Sequence, residues 1–170
     1  MNDRPQPGVP GRLMYMRCRA AWTYIDGIRR FGQFFSEHAF VDLGAPERAS
    51  MILQEILENA IKYSVRTDDA EIDMSLSFES DFFVVTVGSM PSPSHLEVLR
   101  EELTLLNAQT PEDAYVAAFA RAASNESAGS RLGLARVRLE GKADLSLEEL
   151  ADGRIVVTAK GLLETPGRGT

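Results

Sequence analysis

Glu55, Asn59 and Lys62 stand at helical spacing in a segment otherwise made of core-type residues. At about 100° per residue, these three and Arg66 fall within about 60° of one another. Ile52, Leu53, Ile56, Leu57, Ala60 and Ile61 occupy the adjoining arc. The spacing predicts a helix with one core face and a polar stripe along its edge. A carboxylate and an amide oxygen one turn apart can serve a bound Mg²⁺ and a water or hydroxyl beside it. A lysine a further turn on can meet phosphate oxygens. Many surface helices carry Glu, Asn and Lys at these intervals simply as a solvated face. Asparagine is a poor helix former, however, so its place in mid-helix asks for a reason.

Around this helix, residues 13–18 read as a short strand. Arg19 to Phe40 carries Trp22, Ile25, Ile28, Phe31, Phe34 and Phe35 at helical spacing, and the stripe is expected to be core. Pro46 and Glu47 suit the start of the stripe-bearing helix, which runs to Ser64. Ile72, Met74, Leu76 and Phe78 then alternate with polar residues, the signature of a half-buried strand. Ser80 and Asp81 turn it back into a second strand, Phe82 to Val87, which Pro91 and Pro93 end. Helices follow at about 94–107 and 111–123. A Ser/Gly loop from Ser124 to Ser130 leads into a third helix ending near Gly141. A last hairpin pairs about 143–150 with 154–160 across Asp152 and Gly153. The order predicts an α+β fold: a two-layer sandwich whose mostly antiparallel sheet, of four strands or more, is covered on one face by helices. Residues 1–12 and 164–170 read as flexible tails, and 13–163 as one domain.

Acidic residues outnumber basic ones by 25 to 18, a formal charge of −7, so a phosphate-backbone partner is not expected. No apolar run approaches a membrane span, and the start lacks a signal-type apolar core. One cysteine, Cys18, makes no internal disulfide. A cytoplasmic protein is the expectation. Cys18, His38 and His95 are too far apart for a zinc pattern, and there is neither a G-x-S-x-G elbow nor a Walker A sequence. His38 and His95 are expected to be structural.

The run Glu55-x-x-x-Asn59-Ala60-x-Lys62-Tyr63-Ser64 resembles the N box of the GHKL superfamily, which holds histidine kinases, anti-sigma serine kinases, gyrase-type ATPases and Hsp-type chaperones. The resemblance covers about residues 20–162 and implies the cofactors ATP and Mg²⁺. It makes Asn59 the metal ligand, Glu55 the base acting on a water or hydroxyl, and Lys62 a phosphate contact. The family's glycine-rich loop, G-x-G-L-G-L, is similar to Gly129-Ser130-Arg131-Leu132-Gly133-Leu134, with Arg131 in place of the middle glycine. Glycines there admit backbone amides to phosphates, and a helix start adds a favourable dipole. Gly129, Arg131 and Gly133 are thus expected at the nucleotide. The family's adenine-reading aspartate has no counterpart: Val87 to Pro93 carries no carboxylate, and position 154 is Arg where Thr is frequent. The SiaB-like bacterial regulatory kinases also lack that aspartate and show a similar small-residue turn, two lid helices and glycine loop. Those relatives are serine/threonine kinases acting on a small partner of anti-anti-sigma type.

Two functions stay open at this point. One is a kinase moving the γ-phosphate of MgATP to a Ser or Thr of a small regulatory partner. The other is a binding or scaffold module with a decayed pocket. The apolar first helix offers a face to a second copy of the chain or to a partner.

Overall fold

A computed structural model of the chain describes residues 11–39, 44–65, 70–79, 81–124 and 132–163. Five strands, β1 (Gly11–Arg19), β2 (Glu71–Glu79), β3 (Phe82–Ser89), β4 (Ala143–Glu149) and β5 (Ile155–Leu162), form one sheet in the order β1-β2-β3-β5-β4. Every neighbouring pair is antiparallel. The helices are α1 (Ile25–Ala39), α2 (Ala45–Tyr63), α3 (Pro93–Asn107), α4 (Pro111–Ser124) and α5 (Leu132–Leu139). The expected two-layer α+β architecture is present, with β1 as the fifth strand. Gly11 and Arg12 lie within β1, not in the tail.

Strand alternation builds the core carpet. Met14, Leu76, Val85, Ala159 and Leu145 lie side by side across all five strands. All five are buried beneath the helices. The central helix, α2, presses Ile52, Leu53, Ile56 and Leu57 onto this carpet, each almost wholly enclosed. Burying one such side chain contributes about 1.5–3 kcal/mol. The polar stripe is thereby fixed in rotation, because the apolar arc beside it leaves the helix no freedom to turn.

The end of α2 is strapped to the segment after β3. Ser64 leaves helical geometry, Val65 N–H donates to the carbonyl of Met90, and Ser92 N–H donates to the carbonyl of Tyr63. That strap brings the start of α3 against the last turn of α2. The turn between β4 and β5 is made as expected by Asp152 and Gly153. Gly153 has a φ of 85°, and Asp152 Oδ1 accepts from Arg154 N–H at 3.0 Å.

The first helical segment departs from expectation. It divides into a 3-10 turn, Trp22–Tyr24, and α1. Among its described side chains the buried large apolar ones are Ile25 and Ile28, whereas Trp22 is 57%, Phe31 44% and Phe34 60% exposed. Successive steps of three residues lag the helical repeat by about 60° each, so 25, 28, 31 and 34 walk halfway round the helix. Trp22, Phe31 and Phe34 of the expected stripe are therefore surface, not core, and the side chain of Phe35 lies outside those described. Among the described residues no helix is long and apolar enough to cross a membrane.

Candidate functional site

Glu55 and Asn59 both face inward. The Glu55 side chain is 13% exposed and Asn59 8%. They meet the first turn of α5, where Gly133 is packed so closely that a Cβ there would lie 2.3 Å from Glu55 Oε2 and 3.7 Å from Asn59 Nδ2. Only glycine allows this approach. Gly133 thus lies against Glu55 and Asn59. Gly129 and Arg131 lie outside the described residues, as does Arg66.

Asn59 Nδ2 is buried and has no hydrogen-bond partner among the described residues. Such an orphan costs about 1–3 kcal/mol. It borders a hollow of about 20 Å³ enclosed by Asn59, Tyr63, Ser89, His95, Leu134 and Val157, among others. That is room for about one water. The hollow lies where α2, α3 and α5 converge over β3 and β5.

Glu55 accepts a hydrogen bond from Arg136 Nη1 at 2.6 Å. Burial pushes the Glu55 carboxyl above the usual carboxylate range. The Arg136 charge pulls it back, and Glu58 and Glu140 add to the rise. Arg136 also donates from Nε and Nη2 to the two oxygens of Glu140, at 3.1 and 3.0 Å. That pairing holds Glu140 below the usual range. Nothing in the local sequence signals Arg136. It lies 81 positions from Glu55, and only the packing of α5 on α2 joins them.

Lys62 is not beside Glu55. Seven residues further along α2, about 10 Å at 1.5 Å per residue, it opens on a separate, wider recess of about 440 Å³. Tyr63, Ser64, Val65, Ser92 and His95 share that recess. Its ammonium stands 5.2 Å from the centre of the Tyr63 ring. His95 is expected to be structural. It does accompany Ser92 at the start of α3, with Nδ1 and Ser92 Oγ 2.6 Å apart, and its ring tilts against Tyr63 at 4.9 Å. It also forms the wall between recess and hollow, a placement that spacing alone does not reveal.

Ser89, 3% exposed, lines the hollow at the end of β3. Arg154 has turned away to the opposite sheet face, where it forms an ion pair with Asp73 beside Gly88. Burial raises the thiol of Cys18, which leaves it a poor nucleophile.

No family model and no curated protein matches the chain. Solved structures do. A chain of the SiaB-SiaC complex from Pseudomonas aeruginosa superposes with a TM-score of 0.65 at 17% identity, covering 89% of this chain and 91% of that one. The RsbU and RsbW domains of a Mycobacterium tuberculosis protein give 0.51 at 12% identity, covering 96% of this chain and 35% of that one. The fold is SiaB/RsbW-like. In this SiaB/RsbW-like frame, Glu55, Asn59 and Gly133 meet where α2 packs on α5, and Lys62 lies further along α2 on its own recess.

Proposed function

We propose that this chain is a bacterial regulatory protein that binds MgATP between α2 and α5 and phosphorylates a Ser or Thr on a small anti-anti-sigma-type partner. The observation that carries the proposal is the buried Asn59 amide nitrogen, unpaired among the described residues, set one turn from a shielded carboxylate and under a glycine. A helix shaped for core packing gains nothing from such an amide unless a ligand completes it.

The residues fit Mg²⁺ and phosphates at the Glu55–Asn59–Gly133 end. Turned half a revolution about its terminal torsion, Asn59 offers an amide oxygen, a suitable Mg²⁺ ligand. The missing Cβ of Gly133 leaves the first turn of α5 able to approach phosphate oxygens. At the far end Ser89 offers a hydroxyl where the family has a carboxylate, and the one-water hollow requires α3 and α5 to part for a base to enter. Bound Mg²⁺ would neutralise charge on the phosphate oxygens. In the transfer, the partner's hydroxyl oxygen bonds to the γ-phosphorus, the bond to the bridging oxygen of ADP breaks, and Glu55 orients the hydroxyl and accepts its proton. Gly129 and Arg131, by their place in the loop motif, and Lys62, from the adjoining recess, complete the proposed nucleotide contacts. The exposed Trp22, Phe31 and Phe34 are the surface offered to the partner or to a second copy of the chain.

A second reading, a partner-binding scaffold without transfer, draws on the ion pair that occupies Glu55 and on Ser89 in place of a carboxylate. Incubation with γ-labelled ATP and small partner proteins separates the two. Label on a partner Ser or Thr that is lost in Glu55→Gln supports the kinase. A stable complex that never acquires label supports the scaffold.

A further inference from the structure

Arg136 belongs to no motif, yet it determines where the Glu55 carboxylate sits. It lies three residues after Gly133, so both project from the same side of α5. One edge of its guanidinium, Nε and Nη2, is taken by Glu140 on the same helix, and this leaves Nη1 aimed at Glu55 Oε1. The other Glu55 oxygen, Oε2, rests against Gly133. Both oxygens of a carboxylate on α2 are therefore fixed by α5.

We propose that Arg136 is the positioning residue of this site, with Glu140 as its anchor, holding the Glu55 carboxylate in place and tying it to the start of α5. The inference deepens the proposed function and rests on it where Glu55 is taken as the group that meets the hydroxyl. Among the described residues the charged groups around the pair are Glu58 on α2 and Glu140 on α5, with Tyr115 on α4 beside Arg136. With Glu58 and Glu140 both repelling it, a Glu55 released from Arg136 turns toward solvent, and a displacement of about 1 Å costs about a hundredfold in rate. A planar fork can hold two carboxylates in fixed directions. An ammonium on a flexible stem cannot.

The test uses the full chain with Arg136→Gln, Arg136→Lys and Glu140→Gln. In phosphate transfer, Arg136→Gln is expected to lower kcat about a hundredfold while KM for ATP stays within about threefold. Arg136→Lys recovers part of that loss, and Glu140→Gln falls between. An unchanged kcat in Arg136→Gln, or a loss that merely follows thermal stability across the three variants, overturns the inference. A second readout needs no nucleotide: hydrogen exchange of the amides of Gly133, Leu134 and Ala135. Arg136→Gln and Glu55→Ala each speed that exchange, and the double variant goes no faster than either single one. Additive effects overturn the positioning role. If the unmodified chain transfers no phosphate, the kinase reading fails, and the exchange cycle still decides whether Arg136 holds Glu55.

Discussion

Asn59 holds its amide nitrogen out of water with no hydrogen-bond partner among the described residues, a cost of about 1–3 kcal/mol. Asn59→Leu, close in volume, is expected to stabilise the chain by about 1 kcal/mol. Urea unfolding with an unchanged slope checks this, and a clear loss of stability would show that the amide has a structural partner. Glu55 makes a parallel case. Its folded carboxyl lies above the ordinary range because burial outweighs the pull of Arg136. The folded chain therefore takes up this proton before the unfolded chain does. Its contribution to stability falls as pH rises from the ordinary carboxylate value, about 4.3, through the raised one. Glu140 behaves oppositely: Arg136 holds its folded value low, so its contribution is present above the ordinary value and lost on acidification. Measured unfolding free energies should fall less steeply toward neutral pH in Glu55→Gln than in the unmodified chain. Of these residues, Glu55 and Asn59 were legible from spacing because both sit on one helix. Arg136 was not, because its partner is 81 positions away and only tertiary packing joins them.

At the level of elements, two glycines set how closely layers approach. A Cβ on Gly133 would strike Glu55 Oε2, whose sister oxygen is held by Arg136, so the side chain cannot simply swing aside. Gly133→Ala is expected to abolish nucleotide binding and to cost about 1–3 kcal/mol. Gly161, on β5, lies under the fully buried ring of Phe83, and a Cβ there would stand 2.2 Å from Phe83 Cζ. Gly161→Ala should cost a similar 1–3 kcal/mol by thermal or urea unfolding while leaving the distant α2–α5 cleft able to bind. The strand alternations and turn residues made nearly every element readable to within one or two residues. Residues 143–149 are an example, since their partner strand is fixed by the tight turn at Gly153. The first helix misled because aromatic residues at three-residue steps imitate a stripe while circling the helix. Ile25 and Ile28 face the core, and Phe34 points half a turn away.

Over the whole molecule, the face left by that circling is a set of exposed aromatics on the side of α1 away from the sheet. Since it carries no core, Trp22→Ser and Phe34→Ser should each change stability by less than about 0.5 kcal/mol, while weakening association with a partner or a second copy. A large loss of stability in either would contradict their surface placement. The sheet supports α2, α2 carries Glu55 and Asn59, and α5 packs against them through Gly133 and Arg136. Calorimetric titration with ATP, with and without Mg²⁺, against the unmodified chain and Asn59→Ala tests that arrangement most directly. The expected result is Mg²⁺-dependent binding that Asn59→Ala abolishes while the variant stays folded. Absence of binding by the unmodified chain at millimolar nucleotide, or equal binding by both proteins, would contradict it.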